Sequence, residues 1–364
     1  MIFKKCSLNR FKDIVKNKRL ICFGAGKYFY EFCIDKPEIV NNIEFVIDNK
    51  QLLHGTYRNI NGKLIKICSL AEAMSNIDDS CLFVITTGFE NFPAVKEQLD
   101  HTAELNYIPL YWGWQILDSP ITKSEMRLTA PNNLRLTKKA VIPKIIHYAW
   151  FGNSPIPQKF QNFIDGWKRL CTDYEIIEWN ERNYDITKNS YMKEAYEAKA
   201  YGFVPDYLRK DVVYEYGGVY LDVDVEMIKN IDDLLYQDGF CAFERMHIAL
   251  GLGFGAKKHL PIIKDLRDQY NNLQFTADSI TKSLTGPFYE TQLLQERGLK
   301  RNGKYQLIER LTVYPSAILN GTDFFTGKKC LHNDTYLIHH YAGSWRDDVG
   351  HNNIKYVNEM LSKI

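Results

Sequence analysis

Two aspartates separated by one residue, Asp222 and Asp224, stand in the segment GGVYLDVDVE at residues 217–226. The alternation of apolar and polar residues predicts one strand, with odd-numbered residues from 219 to 225 on one face and even-numbered residues on the other. Asp222, Asp224 and Glu226 would then lie together. Crowded carboxylates repel one another, and a divalent cation with oxygen ligands relieves that repulsion. Hard oxygen ligands favour manganese or magnesium over zinc.

The residues before this strand decide between a cation site and a solvated acidic strand edge, because a bare pair of aspartates fits both. In PDYLRKDVVYEYGG, at residues 205–218, Pro205 stands where a helix begins and a glycine pair stands where it ends. Asp206 and Arg209 are three residues apart on this predicted helix and share a face. The helix leads directly into the strand, so both side chains would face the two aspartates. The planar fork of Arg209 suits paired oxygen atoms. The context therefore favours a binding site.

The segment FVPDYLRKDVVYEYGGVYLDVDVE, at residues 203–226, resembles the signature of the DXD-containing glycosyltransferases of family 32. Two further segments agree with it: IPKIIHYAWFG at 142–152 is similar to the family's first strand, and IHHYAGSW at 338–345 is similar to its closing motif. The resemblance implies a GT-A fold. It also implies transfer of a sugar from a nucleotide-sugar with retention of anomeric configuration, for which we assign no nucleophile.

Carried onto this sequence position by position, the resemblance implies three overlapping sets of site residues. The metal ligands would be Asp222, Asp224 and His340. The nucleotide-sugar would be bound by Trp150, Asp206, Arg209, Asp222, Ser344 and Trp345. The catalytic residues would be Asp206, Arg209 and Asp222. By residue type alone, Trp150 and His340 fit a packed core equally well, and only the HY-x-G spacing selects His340 over His339.

The chemistry implied is metal-dependent. A nucleoside diphosphate gains negative charge as it leaves the sugar, and a bound Mn²⁺ or Mg²⁺ stabilises that charge. We expect a UDP-hexose donor, with galactose or glucose favoured, and a saccharide acceptor, lipid-linked, in bacterial capsular or other surface polysaccharide synthesis. Three alternatives stay open: a GDP-mannose-dependent mannosyltransferase, a toxin-like protein glycosyltransferase, and a sensor that binds nucleotide-sugar without turnover.

The elements around these motifs predict an α/β fold with two domains. RLICFGAGKYFYEFC from Arg19 predicts a strand, a glycine turn and a helix, and IEFVIDNK and CLFVITTG predict further strands of a parallel sheet. Residues 1–118 are therefore predicted to form a Rossmann-like domain. Residues 119–140 are polar and form the predicted linker, and residues 141–364 form the predicted GT-A domain.

The glycine turn of the first domain matches only part of the dinucleotide-binding fingerprint. In GAGKYF, Phe29 stands where a third glycine would allow close helix packing. Asp48, at the end of the second strand, would bind a ribose or cap a loop. We therefore expect a degenerate or regulatory helper domain rather than a dehydrogenase.

Composition limits the partners of the chain. With 46 basic and 44 acidic residues, the net charge of +2 provides no general attraction for nucleic acid. The eight cysteines include no CxxC pair, which indicates reduced thiols in the cytoplasm. We identify neither a signal peptide nor a stretch of about 18 apolar residues. We expect a cytoplasmic protein that meets the inner face of the cytoplasmic membrane peripherally, through its acceptor or a partner; the oligomeric state is not predicted.

Overall fold

A computed structural model of the chain describes residues 1–116, 134–244, 246–276, 286–322, 329, 331–343, 352–353, 355–357 and 359–360. Contacts divide the chain into one unit of Met1–Pro120 with Arg346–Ile364 and a second unit of Ile121–Trp345. The predicted GT-A domain, 141–364, differs from this division because it includes the C-terminal residues. Most of the predicted linker, 119–140, lies outside the described residues. Within the described stretches, every helix is too short or too polar to cross a membrane.

The first unit is built on a seven-stranded sheet. Its strands are β1 Ile2–Phe3, β2 Arg19–Phe23, β3 Ile43–Ile47, β4 Tyr57–Ile60, β5 Lys63–Cys68, β6 Cys81–Ile85 and β7 Pro109–Trp112. Its helices are α1 Leu8–Val15, α2 Lys27–Asp35, α3 Leu70–Ala73 and α4 Phe92–Asp100. The strand order is β1-β7-β6-β2-β3-β5-β4, and the pairs are parallel except for β4 with β5. Continuous apolar runs such as those of β2 and β6 form central strands of a parallel sheet because both of their faces are buried.

The glycine turn after β2 is closed by a carboxylate of the same unit. Asp48 accepts a hydrogen bond from the backbone N–H of Ala25 at 2.8 Å, and a second from Lys50 N–H at 2.8 Å. Phe29, on α2, is fully buried. One backbone N–H group of the glycine turn is therefore bound to Asp48.

The second unit contains a larger mixed sheet. Its strands are β8 Ile145–Ala149, β9 Glu175–Trp179, β10 Gly218–Tyr220, β11 Val225–Met227, β12 Gly239–Glu244, β13 His247–Ile248, β14 Phe254–Ala256, β15 Gln306–Ile308, β16 Leu311–Tyr314 and β17 Leu337–His339. Its helices are α5 Gln158–Leu170, α6 Ser190–Glu197, α7 Pro205–Tyr216, α8 Pro261–Asp268, α9 Gly286–Glu296 and α10 Ser316–Leu319.

The main sheet has the order β15-β16-β12-β14-β10-β8-β9, with β13 beside β12, while β11 and β17 form a separate antiparallel pair. Strand β8 is parallel to both of its neighbours, β10 and β9. Tyr220 packs into one hydrophobic core and Val219 and Leu221 into the other, as expected when successive side chains face opposite sides of a sheet. The main sheet of each unit, with the helices packed on it, confirms the predicted α/β class.

Helix α7 is the element that carries the predicted donor-binding residues. It begins at Pro205 and ends at Tyr216, as the sequence predicts. Gly217 follows with φ +68°, a conformation that favours glycine, and the chain enters β10 at the next residue. Residues Pro205–Val213 are all buried, including four charged side chains. Buried charges require partners, so this helix must be surrounded by complementary groups.

His147 on β8 joins this helix end to the sheet. Its Nε2 donates to the Gly217 carbonyl at 2.8 Å, and its Nδ1 accepts from the indole N–H of Trp179 at 3.1 Å. Since the indole nitrogen can only donate, the ring is the neutral Nε2–H tautomer. Burial lowers the pKa of His147 to about 4. Protonation of Nδ1 would make it a donor, and it would then face the indole N–H of Trp179, which is also a donor.

We expect His147 to make the second unit sensitive to acid. Its pKa is lower in the folded chain than the ordinary value of 6.5, so the unfolded chain binds more protons and stability falls as the pH drops from 6.5 toward 4. The loss amounts to about 3 kcal/mol. Urea unfolding of the wild type and of His147→Gln across this pH range measures it. The difference between the two free energies should change with pH, and parallel curves would contradict the assignment.

Candidate active site

The two aspartates lie on a turn between two strands, not within one strand. Strand β10 ends at Tyr220, residues 221–224 form the turn, and β11 begins at Val225 in the other sheet. The turn is closed by a hydrogen bond from Val225 N–H to the Asp222 carbonyl at 3.0 Å. The predicted single strand with a shared carboxylate face is therefore wrong. Pairing with two different sheets breaks the strand here. Tyr220 is fully buried, and its hydroxyl contacts Asp222.

Arg209 links the helix to this turn. One of its terminal nitrogens, Nη2, lies 3.4 Å from Asp222 Oδ1 and 3.4 Å from Asp206 Oδ1. Its Nε donates to the Pro205 carbonyl at 3.2 Å, and the guanidinium lies 5.3 Å from the centre of the Tyr220 ring. The structure thus brings Asp206, Arg209 and Asp222 together, as the shared helix face predicts.

The charges of this group depend on one another. Burial raises the pKa of Asp206 to about 6, although Arg209 and Lys210 oppose the shift. Burial also raises the pKa of Asp222, against the effect of Arg209. Burial alone would lower the pKa of Arg209, but Asp222 and Asp206 outweigh it and raise the pKa overall. Arg209 is therefore the cation that opposes protonation of both carboxylates.

Asp224 lies on the opposite side of the turn and meets the last strand. Its Oδ1 is 3.3 Å from Nε2 of His339, and its Oδ2 accepts from the Ala342 N–H at 2.9 Å. Burial tends to raise the pKa of Asp224, but His339 and the Ala342 N–H outweigh it and hold the pKa well below its usual range. Asp224 is therefore a buried carboxylate that is held in its ionised form.

Asp222, Asp224 and His339 form a cluster whose potential ligand atoms all lie within 4.8 Å of one another. Two carboxylates and one imidazole are suitable ligands for Mn²⁺ or Mg²⁺, whereas structural zinc sites are typically rich in thiolates. Nδ1 of His339 is buried and has no hydrogen-bond partner among the described residues. The ring nitrogen that faces Asp224 is Nε2, so one imidazole nitrogen and two carboxylates lie close enough to share a cation, and these residues fit the metal that the sequence implies.

The histidine in this cluster is the neighbour of the one predicted. His340 turns away, with Nε2 2.8 Å from Glu226 Oε2 and its ring stacked on Phe163 at 4.6 Å. His339 is the last residue of β17 and pairs with Val225, so it faces the turn, and the next residue of an extended chain faces the other side. The structure therefore places His339, and not the predicted His340, beside Asp222 and Asp224, since spacing alone does not reveal the facing direction.

The two histidines make opposite predictions about metal binding. His339→Ala should weaken Mn²⁺ binding about 10- to 100-fold, because it removes a ligand from the cluster. His340→Ala should change it less than about threefold, since that ring contacts Glu226 and Phe163 instead. Calorimetric titration of both variants with Mn²⁺ measures the two affinities. A larger loss in His340→Ala would restore the assignment made from the sequence.

Of the remaining predicted site residues, the structure describes Trp150 but not Ser344 or Trp345. Trp150 follows the end of β8, is partly exposed, donates from its indole to the Ser154 carbonyl at 2.6 Å and packs edge-on against Phe160. It lies beyond the carboxyl end of a strand parallel to β10, the edge of the sheet where α/β proteins bind ligands. Ser344 and Trp345 lie outside the described residues, so their predicted roles stay predictions.

Gly251 is a site residue that the sequence pattern did not identify. A β-carbon at this position would lie 2.4 Å from Asp222 Oδ2 and 2.9 Å from Arg209 Nη1. A side chain at this position would displace the ends of these two side chains. The repeated glycines of GLGFG, at residues 251–255, were the available signal, but a glycine alone does not reveal which side chains it contacts.

Comparison with known proteins supports a transferase. Residues 157–241 match the family described as glycosyltransferase sugar-binding region containing DXD motif. The matched segment contains Asp206, Arg209, Asp222 and Asp224. The chain is 31% identical over 164 residues to inositol phosphoceramide mannosyltransferase 3 of Schizosaccharomyces pombe, which covers 42% of this chain and 44% of that protein.

Two further similarities are weaker. The chain is 23% identical over 217 residues to uncharacterized glycosyltransferase L373 of Acanthamoeba polyphaga mimivirus, covering 56% of this chain and 84% of that protein. The solved PaToxG glycosyltransferase shares 18% identity at a TM-score of 0.36 and covers 43% of this chain and 68% of that one, a likeness too weak to bear on the site. The alignment with the yeast mannosyltransferase spans less than half of that relative's length.

Proposed function

We propose that the chain is a metal-dependent glycosyltransferase that moves a hexose from a nucleotide-sugar to a saccharide acceptor. The observation that carries this proposal is the contact between two groups of residues at one turn. Asp224 and His339 with Asp222 offer ligands for a cation, and Asp222 also contacts the buried Arg209–Asp206 pair. The donor diphosphate and its sugar need these two kinds of group side by side.

The chain's own residues suit the two ends of such a donor. A bound Mn²⁺ or Mg²⁺ would neutralise charge on the diphosphate leaving group. Arg209 opposes protonation of Asp206 and Asp222, whose free lone pairs can accept hydrogen bonds from sugar hydroxyls. We assign no covalent nucleophile. The resemblance implies that the product keeps the donor's anomeric configuration. Without a covalent intermediate this requires the acceptor hydroxyl to attack the face of the sugar from which the diphosphate leaves, with the departing phosphate taking the hydroxyl proton.

Donor identity has two candidates. The resemblance to capsular transferases favours a UDP-hexose, with galactose or glucose ahead of other sugars. The name of the 31% identical relative, a mannosyltransferase, favours GDP-mannose as the second candidate. For the biological setting we propose a lipid-linked acceptor in bacterial surface polysaccharide synthesis and a cytoplasmic location with peripheral access to the membrane.

Thermal denaturation with UDP-glucose, UDP-galactose and GDP-mannose, each with and without Mn²⁺, tests the proposal. A ligand at 100 times its Kd stabilises the folded state by about 2.7 kcal/mol. A metal-dependent rise in Tm with one donor, together with release of its nucleoside diphosphate in the presence of an acceptor saccharide, supports the transferase. Binding without release supports a nucleotide-sugar sensor. The absence of any metal-dependent shift with all three donors would contradict the proposal.

A further inference from the structure

A fully buried ion pair lies directly behind the donor-binding residues. Lys210, the residue after Arg209 on α7, lies 2.9 Å from Glu290 Oε1 on α9, and both side chains are 0% exposed. Removing two charges from water costs free energy that their attraction often fails to recover, so such a pair is weak evidence of stabilisation. Its position next to the site suggests a different role.

The pair holds a segment of backbone in place. Oε2 of Glu290 accepts a hydrogen bond from the Leu250 N–H at 2.9 Å, and the next residue of α9, Thr291, accepts one from the Ile248 N–H at 2.8 Å. Lys210 Nζ also donates to the Asp206 carbonyl at 2.7 Å. Helix α9 thus binds alternate amides of the segment 248–250, and Lys210 ties Glu290 to the helix that carries Asp206 and Arg209.

This segment ends at the wall of the site. Gly251 follows Leu250 and abuts both Asp222 and Arg209, closely enough that a single added carbon would collide with them. A shift of the Leu250 amide by a few tenths of an ångström would therefore change the space available to these two side chains. Well-packed interiors transmit such shifts instead of absorbing them.

We propose that Lys210 and Glu290 are positioning residues which, through the Leu250 amide, hold Gly251 against Asp222 and Arg209 and so fix the sugar-binding carboxylates. This inference rests on the proposed transferase function. The pair touches neither the Asp224 carboxylate nor His339 in the contacts described. Its loss should therefore impair turnover while the affinity for a nucleoside diphosphate with Mn²⁺ is retained.

The test is the double variant Lys210→Met/Glu290→Gln, which removes both charges and leaves neither one unpaired. We expect kcat for sugar transfer to fall about 10- to 100-fold. The Kd for the nucleoside diphosphate with Mn²⁺ should stay within about threefold. Hydrogen exchange of peptides covering residues 247–253 should accelerate. Asp211→Asn is the matched control: this buried carboxylate on the same helix binds Tyr184, Lys188 and Arg267. It should lower Tm without lowering kcat of the folded protein.

A second variant keeps the inference testable if the double variant fails to fold. Gly251→Ala leaves the ion pair intact and should reproduce the loss of kcat. If the wild type transfers sugar and the double variant has the same kcat, the inference is wrong but the proposed function stands. A loss of kcat in Asp211→Asn as large as that in the double variant would also overturn this inference alone. A folded wild type without turnover on any donor would overturn the proposed function and this inference with it.

Discussion

Asparagine in place of Asp224 is expected to reduce sugar transfer about 1,000-fold. The change preserves the size of the side chain and its hydrogen bond from the Ala342 N–H, which an amide oxygen can still accept. It removes one negative charge from the cluster that would hold the cation. Turnover should be measured at several Mn²⁺ concentrations, because a weakened site regains some activity when the metal is in excess.

Glu226→Gln is the matched control for this substitution. Glu226 is two residues farther along the same segment, but its carboxylate faces His340 and not the cluster of Asp222, Asp224 and His339. We expect the control to retain at least about a third of wild-type activity, the usual outcome away from the reacting groups. Equal losses in both variants would indicate general disruption of β11. An Asp224→Asn protein with more than a tenth of wild-type activity would contradict the metal assignment.

Methionine in place of Arg209 should affect both stability and activity. Arg209 is the cation that lies between Asp206 and Asp222, and its loss removes the positive charge that both carboxylates contact. We expect a destabilisation of about 3 kcal/mol, at the lower end of the range for broken buried ion pairs because Asp222 is 27% exposed. Activity should fall about 100- to 1,000-fold even at temperatures where the variant is folded. Urea unfolding and single-turnover kinetics measure the two effects separately.

A second substitution distinguishes charge compensation from sugar binding. Adding Asp206→Asn to Arg209→Met removes the carboxylate that is least exposed and should recover part of the stability, with a coupling free energy of about 1 to 3 kcal/mol. Activity should not recover, since both groups would contact the donor. If Asp206→Asn leaves the stability of Arg209→Met unchanged, the two side chains are not energetically coupled and the arrangement described here is wrong.

Local sequence was sufficient for the helix and for one half of the site. Helix α7 begins at Pro205 and ends just before Gly217. Proline tolerates the first helical turn and glycine tolerates a positive φ, and both preferences depend on the residue type alone. The three-residue spacing of Asp206 and Arg209 places them on one helix face, and the structure has them in contact at 3.4 Å. Apolar runs likewise predicted the main parallel strands of both units.

Other parts of the site depend on groups far apart in the chain. The alternation around Asp222 and Asp224 predicts a single strand, but two sheets compete for this segment, and the pairing of Val225 with His339 is what turns the chain between the aspartates. The same pairing selects His339 over His340, because it decides which of two adjacent residues faces the turn. Gly251 and Glu290 belong to the site only through contacts across 29 and more residues.

The sequence by itself determined the residue types, the α/β class and the helix that presents Asp206 and Arg209, since these follow from local backbone preference and hydrophobic periodicity. The tertiary structure alone decided which imidazole joins Asp222 and Asp224, and it alone placed a buried ion pair behind them. Strand register and the packing of α9 on α7 are set by the summed contacts of distant segments, and no short stretch of sequence contains that information.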